Sequence, residues 1–341
     1  MPHQSQPDGR PGADPRCNIL FTSAGRRVGL VQSFRDALTG LGITGSIVTA
    51  DLRSNAPAHQ IADASELVPP IDDSTYVDRL LEICRAHAIH LVVPLLDPEL
   101  PLLAEVRDAF AAQGVRLLVS SPETAAIGND KRRTDAFFRG AGIATPELLD
   151  AQRLLSAGVD VAFPVLLKPA HGSASVGVSV VHDAEELRHA LGRTVAPMVQ
   201  QLVSGEEYTL DILIDFAGAV RCVVPRLRIE TRAGEVSKGR TVKDPRIVAA
   251  GIHLGEALPG AVGCITAQCF LTPEGEILFI EINPRFGGGF PLAAAAGADF
   301  ARWIVEWTLG AEPEIAMDGW QDGLTMLRYD AAFFVPGTAT R

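Results

Sequence analysis

The chain has 341 residues, 47% of them hydrophobic, enough for two or three domains with sizeable cores. Its net charge of −11 argues against a nucleic-acid partner, because polyanion binders present basic surfaces. Its five scattered cysteines show no CxxC spacing and read as reduced thiols of a cytoplasmic protein, and no run of about eighteen apolar residues marks a membrane span.

Residues 1–16 are polar and rich in Pro and Gly, which predicts a disordered arm. Residues 17–23 form a short apolar strand, 24–29 a turn with two glycines, 30–41 a helix by spacing, and 46–50 a second strand ending at Asp51. This is the opening of a doubly wound, Rossmann-like α/β domain. An acid at the end of the second strand invites an NAD reading. The turn, however, runs Gly25-x-x-x-Gly29 rather than GxGxxG, and it contains Arg26 and Arg27. Alternation continues through 63–70, 76–87 and 90–96, and the last of these strands leads into Asp97 and Glu99. Ligands of open α/β sheets lie outside the carboxyl ends of strands, so both acids are candidates to face a cleft. Asp97 before Pro98 also fits a helix N-cap. A helix at 104–113 and a strand at 115–120 complete the domain.

Residues 121–145 read as helix–turn–helix. Lys131, Arg132 and Arg133 open the second helix against its dipole, a placement that a bound phosphate would favour and that a solvated basic turn also allows. A strand at 163–169 carries Lys168. The small-residue loop 171–177 follows, then a strand at 178–182. Amides of such a loop can cover phosphates, although it lacks the ending of a P-loop. A helix at 183–191 and a strand at 198–203 come next. On a strand over 207–213, Glu207, Thr209 and Asp211 share a face, and an acid beside an apolar segment suits a ribose. After a strand at 219–224, Arg226, Arg228, Arg232, Lys238 and Arg240 crowd into an expected loop, whose partner is an anionic ligand or water. A helix at 247–258 precedes a hairpin. A helix at 291–309 and a final strand through Phe333 and Phe334 end the chain.

That hairpin holds the most informative stretch, ILFIEINPRFGGG at 277–289. Glu281 and Asn283, two apart on a strand, point the same way and offer oxygens to a hard cation such as Mg²⁺. Pairing Thr272 with Ile277 sets Gln268 opposite Glu281 as a third oxygen. A solvated polar hairpin face is the competing reading, but Phe279, Ile280 and Ile282 make this a buried strand, and a buried Glu needs a partner. Arg285 can hold a phosphate bound to the metal. Gly287, Gly288 and Gly289 keep side chains away from the site.

The ordered set of Asp130-Lys131, LLKP at 166–169 with its loop, SGEEYTLDI at 204–212 and EINPR at 281–285 resembles the ATP-grasp superfamily, particularly single-copy proteins similar to half of the carbamoyl-phosphate synthase large subunit. The resemblance implies a pre-ATP-grasp α/β domain over 17–121, a small lobe over 122–203 and a large lobe over 204–341, the two lobes forming an α+β ATP-grasp fold. It implies that Lys131 and Lys168 contact ATP phosphates and that His171, Gly172, Ser173, Ser175 and Gly177 belong to a lid over them. Gln200, Gln201, Leu202 and Val203 would line the adenine, and Glu207 would bind the ribose. Gln268, Glu281 and Asn283 would hold one or two Mg²⁺, with Mn²⁺ a substitute, and Arg285 would face the transferring phosphate. Two positions depart from the common pattern. Gln200 stands where Glu is frequent, and Gln268 where an acid is common.

By this resemblance the chain is expected to be a carboxylate–amine ligase working on small molecules through an acyl-phosphate. Arg285, Lys168 and Arg226 would serve the chemistry. Asp97, Glu99, Arg226, Arg228, Lys238, Arg240, Gly287 and Gly288 would surround the substrate. The alternatives are an enzyme that forms carbamoyl phosphate or otherwise phosphorylates a carboxylate, and a nucleotide-binding protein without turnover. A homodimer is expected on family analogy.

Overall fold

The computed structural model describes residues 16–155, 163–172, 176–232 and 234–336. All but the last residue of the expected N-terminal arm lies outside these, as do Ser173 and Ser175.

The first sheet has five parallel strands, β1 (Ile19–Thr22), β2 (Ile47–Asp51), β3 (Ala64–Leu67), β4 (Leu91–Pro94) and β5 (Arg116–Leu117), in the order β3-β2-β1-β4-β5. Strands β1 and β4 are buried along their whole length, as expected where helices cover both faces of a parallel sheet. The strand order changes direction at β1, with β2 on one side and β4 on the other. A crevice opens at the carboxyl ends of such a switch point. Two loops therefore reach it: the turn carrying Arg27 after β1, and the segment carrying Asp97 after β4.

A second, antiparallel sheet has strands β6 (Leu148–Leu149), β7 (Val165–Pro169), β8 (Ser179–Val181) and β9 (Pro197–Gln201) in the order β6-β9-β7-β8. The third, also antiparallel, comprises β10 (Glu206–Ile214), β11 (Val220–Arg232), β12 (Glu235–Thr241), β13 (Gly263–Leu271), β14 (Ile277–Asn283) and β15 (Thr325–Leu327), in the order β14-β13-β10-β11-β12-β15. No described helix is long and apolar enough to cross a membrane.

The first and third sheets share a continuous core. A chain of rings runs from Phe21 on β1 through Phe34, Phe286 and Phe290 to Phe300, with successive centroids 4.7–5.8 Å apart. Phe286 is thereby anchored against the first domain, and this fixes the loop that begins at Arg285.

Four expectations need correction. The proposed small lobe over 122–203 divides differently. Helices Pro122–Asn129 and Lys131–Gly140 send Ile127 and Phe138 into the core of the six-stranded sheet, beside Phe279 and Ile282. The basic loop over 226–240 is instead the hairpin of β11 and β12, held by a full antiparallel ladder. The helix at 291–309 is two helices, Phe290–Ala295 and Phe300–Thr308, separated by Gly297 at φ +99°. The last strand is β15, which pairs Leu327 with Lys238; Phe334 lies beyond it, unpaired and exposed.

Helix Pro245–Ala257 lies on the six-stranded sheet through glycine. A methyl at Gly251 would sit 2.7 Å from Val223 and 2.8 Å from Leu210, both branched core side chains. Alanine ordinarily favours a helix interior by about 1 kcal/mol over glycine, but overpacking costs about 1–3 kcal/mol. Gly251→Ala is therefore expected to lower stability by about 1 kcal/mol, read as a lower denaturant midpoint.

Candidate active site

The three sheets enclose a cavity of about 660 Å³, well within the size of small-molecule sites. Its wall includes Lys131, Lys168, Glu207, Arg226, Arg228, Gln268, Glu281, Asn283, Arg285, Asp97 and the three glycines 287–289. Most of the residues singled out in the sequence thus meet in one place.

The hairpin of β13 and β14 supplies one end. Gln268 pairs with Glu281, as expected, but by a different route. The ladder starts by pairing Leu271 with Ile277, one residue out of the expected register. A bulge between Gln268 and Cys269 then restores it. The Asn283 Nδ2 donates to Glu281 Oε1 at 3.1 Å. Among the described residues, no group of three or more His, Cys, Asp or Glu is arranged to hold a metal. A metal set here therefore depends on two side-chain amides and the one carboxylate of Glu281. That donor set fits Mg²⁺, which commonly takes one or two carboxylates and completes its shell from phosphates and water.

Facing this end are two lysines. Lys168 on β7 is 6% exposed. Burial, and next to it the charge of Lys131, push its ammonium down to about 8, against the opposing pull of Glu281 and Asp135. Lys131 begins its helix beneath the Asp130 N-cap, which accepts from Arg132 N, so the basic start is offset by an ordinary cap. Its Nζ donates to the Gly172 carbonyl at the start of the small-residue loop. Gly172, Val176 and Val178 reach the cavity wall from that loop and the start of β8. Exposed His171 contacts the Asn129 carbonyl instead, and neither it nor Gly177 lines the cavity.

The other end is dense in ion pairs. Arg285 Nη2 meets Asp97 Oδ2 at 2.6 Å, joining β14 to the switch point of the first sheet. Arg228 Nε lies 3.0 Å from Glu207 Oε1. Burial raises the Glu207 carboxyl, Arg228 lowers it, and Glu281 raises it again, so the two acids are near neighbours. Arg226 gives Nε and Nη2 to Asp211 at 2.6 and 3.0 Å, and both side chains are almost fully buried.

This geometry corrects several sequence expectations. The Nε–Nη2 edge of Arg226 is taken by Asp211, so only its Nη1 edge is left for a ligand. Glu99 does not face the cavity. It is fully buried, accepts from the Leu95 and Leu96 amides and the Tyr76 hydroxyl, and so fixes the turn that presents Asp97. Asp97 opens a short 3₁₀ turn instead of capping a helix. Lys238 pairs with Glu230 at 2.7 Å on the exposed end of the hairpin. Arg240 lies opposite Leu227, on the face away from Arg226 and Arg228. Gln200, Gln201, Leu202 and Val203 belong to β9 and the turn after it and are not part of the cavity lining.

Two charged lining residues were not anticipated as site residues. Arg27 reaches the cavity from the turn after β1, and Glu235 from the start of β12. The rule that ligands sit at carboxyl strand ends, already applied to Asp97, points equally to Arg27. No sequence signal marks Glu235.

Comparison with known proteins agrees with this construction. The model of the PylC-like N-terminal domain matches residues 19–118, and that of the ATP-grasp domain matches residues 128–289. The chain is similar to a formate-dependent phosphoribosylglycinamide formyltransferase of Synechococcus sp. (strain RCC307), at 26% identity over 70% of this chain and 63% of that protein. It is also similar to a D-alanine–D-alanine ligase of Alcanivorax borkumensis, at 36% identity over 31% of this chain and 33% of that one. The chain therefore spans less than two thirds of the length of either relative. In fold it resembles the biotin carboxylase domain of Hydrogenobacter thermophilus 2-oxoglutarate carboxylase, solved with MgADP, ADP and bicarbonate. There the TM-score is 0.71 at 17% identity, covering 90% of this chain and 73% of that one. The chain thus matches an ATP-grasp domain over 128–289, placed behind a PylC-like N-terminal domain matched over 19–118.

Proposed function

We propose that this chain is an ATP-dependent carboxylate–amine ligase. It activates a small carboxylate as an acyl-phosphate, couples it to an amine and releases ADP and phosphate. One observation carries this reading: Lys131, Lys168, Gln268, Glu281, Asn283 and Arg285, from three separate parts of the sequence, face a single cavity.

Chemistry of this kind needs neutralisation more than it needs a proton shuttle. A carboxylate oxygen attacks the γ-phosphorus of ATP, the bond to the β,γ-bridging oxygen breaks, and ADP leaves with that electron pair. The amine then adds to the acyl carbon, phosphate departs, and the amine proton passes to solvent. Both anions of the first step must be held close, so positioning and electrostatics dominate. Lys131 and Lys168 sit where they would balance phosphate charge. Gln268, Glu281 and Asn283 would hold Mg²⁺, or Mn²⁺ in its place, and one or two such ions would supply further charge neutralisation. Arg285 would face the transferring phosphoryl group, with Asp97 orienting it in the meantime. Gly172 and Val176, at either side of the small-residue loop, line the same cavity and would cover the phosphates.

The five cysteines are all free and buried, which supports a reducing, cytoplasmic setting. A homodimer is consistent with the dimeric biotin carboxylase domain named above.

The direct test is phosphate release from Mg²⁺·ATP across a matrix of carboxylic acids and amines. Release that requires one acid and one amine together is expected; ATP binding with no release for any pair would remove the ligase reading. Arg285→Ala is expected to lower kcat by about 10³-fold or more while nucleotide binding persists, as followed by stopped-flow and equilibrium titration. Lys168 is charged below pH 8 and loses its charge above it. Affinity for MgADP should therefore weaken as pH rises through about 8, and Lys168→Arg should flatten that dependence in calorimetric titrations.

A further inference from the structure

Arg27 has no counterpart among the roles assigned above. Its side chain is 21% exposed, and it lines the cavity from the switch point of the first sheet. Among the described residues, the only carboxylate within 4.0 Å of it is Glu235, at 3.9 Å, and Glu235 is already held at 3.1 Å by Arg328. No hydrogen bond from the Arg27 guanidinium to a described residue accompanies that pair. Every other arginine of the cavity wall has a carboxylate at 3.0 Å or closer: Arg226 has Asp211, Arg228 has Glu207, and Arg285 has Asp97. At this end of the cavity three cations, Arg27, Arg285 and Arg328, face two anions, Asp97 and Glu235. One positive charge is left over, and Arg27 is the group with the loosest partner.

The leftover charge is grouped with Asp97, Glu235 and Arg285, not with the two lysines. The charged groups acting on Arg27 are Arg285, Glu235, Asp97 and Arg328. Those acting on Lys168 are Lys131, Glu281 and Asp135. The two sets share no member, and Arg27 and Lys168 reach the cavity from different sheets. Arg285, at the foot of the metal-site strand, belongs to the neighbourhood of Arg27. On the ligase reading the reacting carboxyl would lie beside Arg285, and an anion on Arg27 would lie on the first-domain side of Arg285. Backbone geometry keeps this place open. A side chain at Gly288 would run into Arg27 Nη1 and the Glu235 carboxylate.

We propose that Arg27 is the specificity-determining residue contributed by the first domain, and that it receives a second anionic group, carboxylate or phosphate, at the far end of the acid being activated. This rests on the ligase reading for what happens to the other end of the acid. A guanidinium fork suits either anion, and binding energy from such a remote group can hold the reacting carboxyl in place.

The test uses full-length protein with MgADP, titrated calorimetrically with propionate, with dicarboxylates from malonate to pimelate, and with 3-phosphonopropionate. The wild type is expected to bind at least one dianionic probe about 10–100-fold more tightly than propionate, the range of a charge-assisted hydrogen bond. Arg27→Met should collapse that preference to near one, and Arg27→Lys should restore part of it. A dicarboxylate or the phosphonate as the preferred probe tells which anion the site takes, and either supports the assignment. Equal binding of mono- and dianionic probes, or a preference that survives Arg27→Met, would overturn it. MgADP binding by each variant shows that the variant is folded. Phosphate release from ATP, measured separately, reports on the ligase reading. Dianion preference lost with Arg27 but without phosphate release supports Arg27 as the anion receptor and removes only the ligase chemistry.

Discussion

The ion pair between Asp97 and Arg285 is the contact on which the site depends. It spans 188 positions of sequence and closes at 2.6 Å. One partner hangs from the carboxyl end of a parallel strand and the other from the foot of an antiparallel one. Their meeting fixes where the first domain faces the hairpin of β13 and β14. The pair is supported on both sides: Glu99 locks the turn that presents Asp97, and Phe286 is packed in a ring chain that reaches β1. The pair is also incomplete. Asp97 Oδ1 and Arg285 Nε are buried without a protein hydrogen-bond partner. Buried charge in this condition costs stability, and a ligand that brings its own donors and acceptors would relieve it.

What the sequence made legible follows from strand periodicity. Residues two apart share a face, so Glu281 with Asn283, and Glu207 with Thr209, could be paired without coordinates. Gln268 was placed opposite Glu281 by assuming a regular hairpin. The structure arrives there by two offsets that cancel, a register one residue out at the turn and a bulge before Gln268. The same periodicity separates Arg226 and Arg228 from Arg240 once the register of β11 and β12 is known. Without that register, five cations in one stretch read as a single basic loop. The hairpin itself escaped notice because the apolar alternation of β11 beyond Arg226 is short, Leu227 and Ile229 alone, and its outer end is exposed.

The remainder was hidden because it depends on partners distant in sequence. Nothing local says that Arg226 is neutralised by Asp211, 15 residues earlier, or that Glu99 answers two amides and a tyrosine instead of a substrate. An acid near a strand end is a candidate ligand on general grounds, and only its neighbours decide. Asp97 and Glu99 stand two residues apart, yet one lines the cavity and the other is sealed beneath it. Arg27 was visible as an anomaly in a nucleotide-like turn. Its role depends on the packing of that turn against a loop more than 250 residues later, and no periodicity encodes such packing.

Three consecutive glycines tie these strands of argument together. Each is required by a different neighbour. A side chain at 287 would press on Thr266 of β13, one at 288 would strike Arg27 and Glu235, and one at 289 would strike Arg226 and Val236. None of the three has the positive φ that favours glycine, so their reason is close approach and not backbone freedom. The run is the point where the hairpin of β13 and β14, the first domain and the buried Arg226–Asp211 pair come within touching distance. Guanidinium groups from two different elements, Arg27 and Arg226, can crowd there only because the backbone between them carries no Cβ. A pocket that gathers cations from separate domains needs such a seam. The sequence therefore spends its glycines immediately after Arg285, where the electrostatic crowding is greatest.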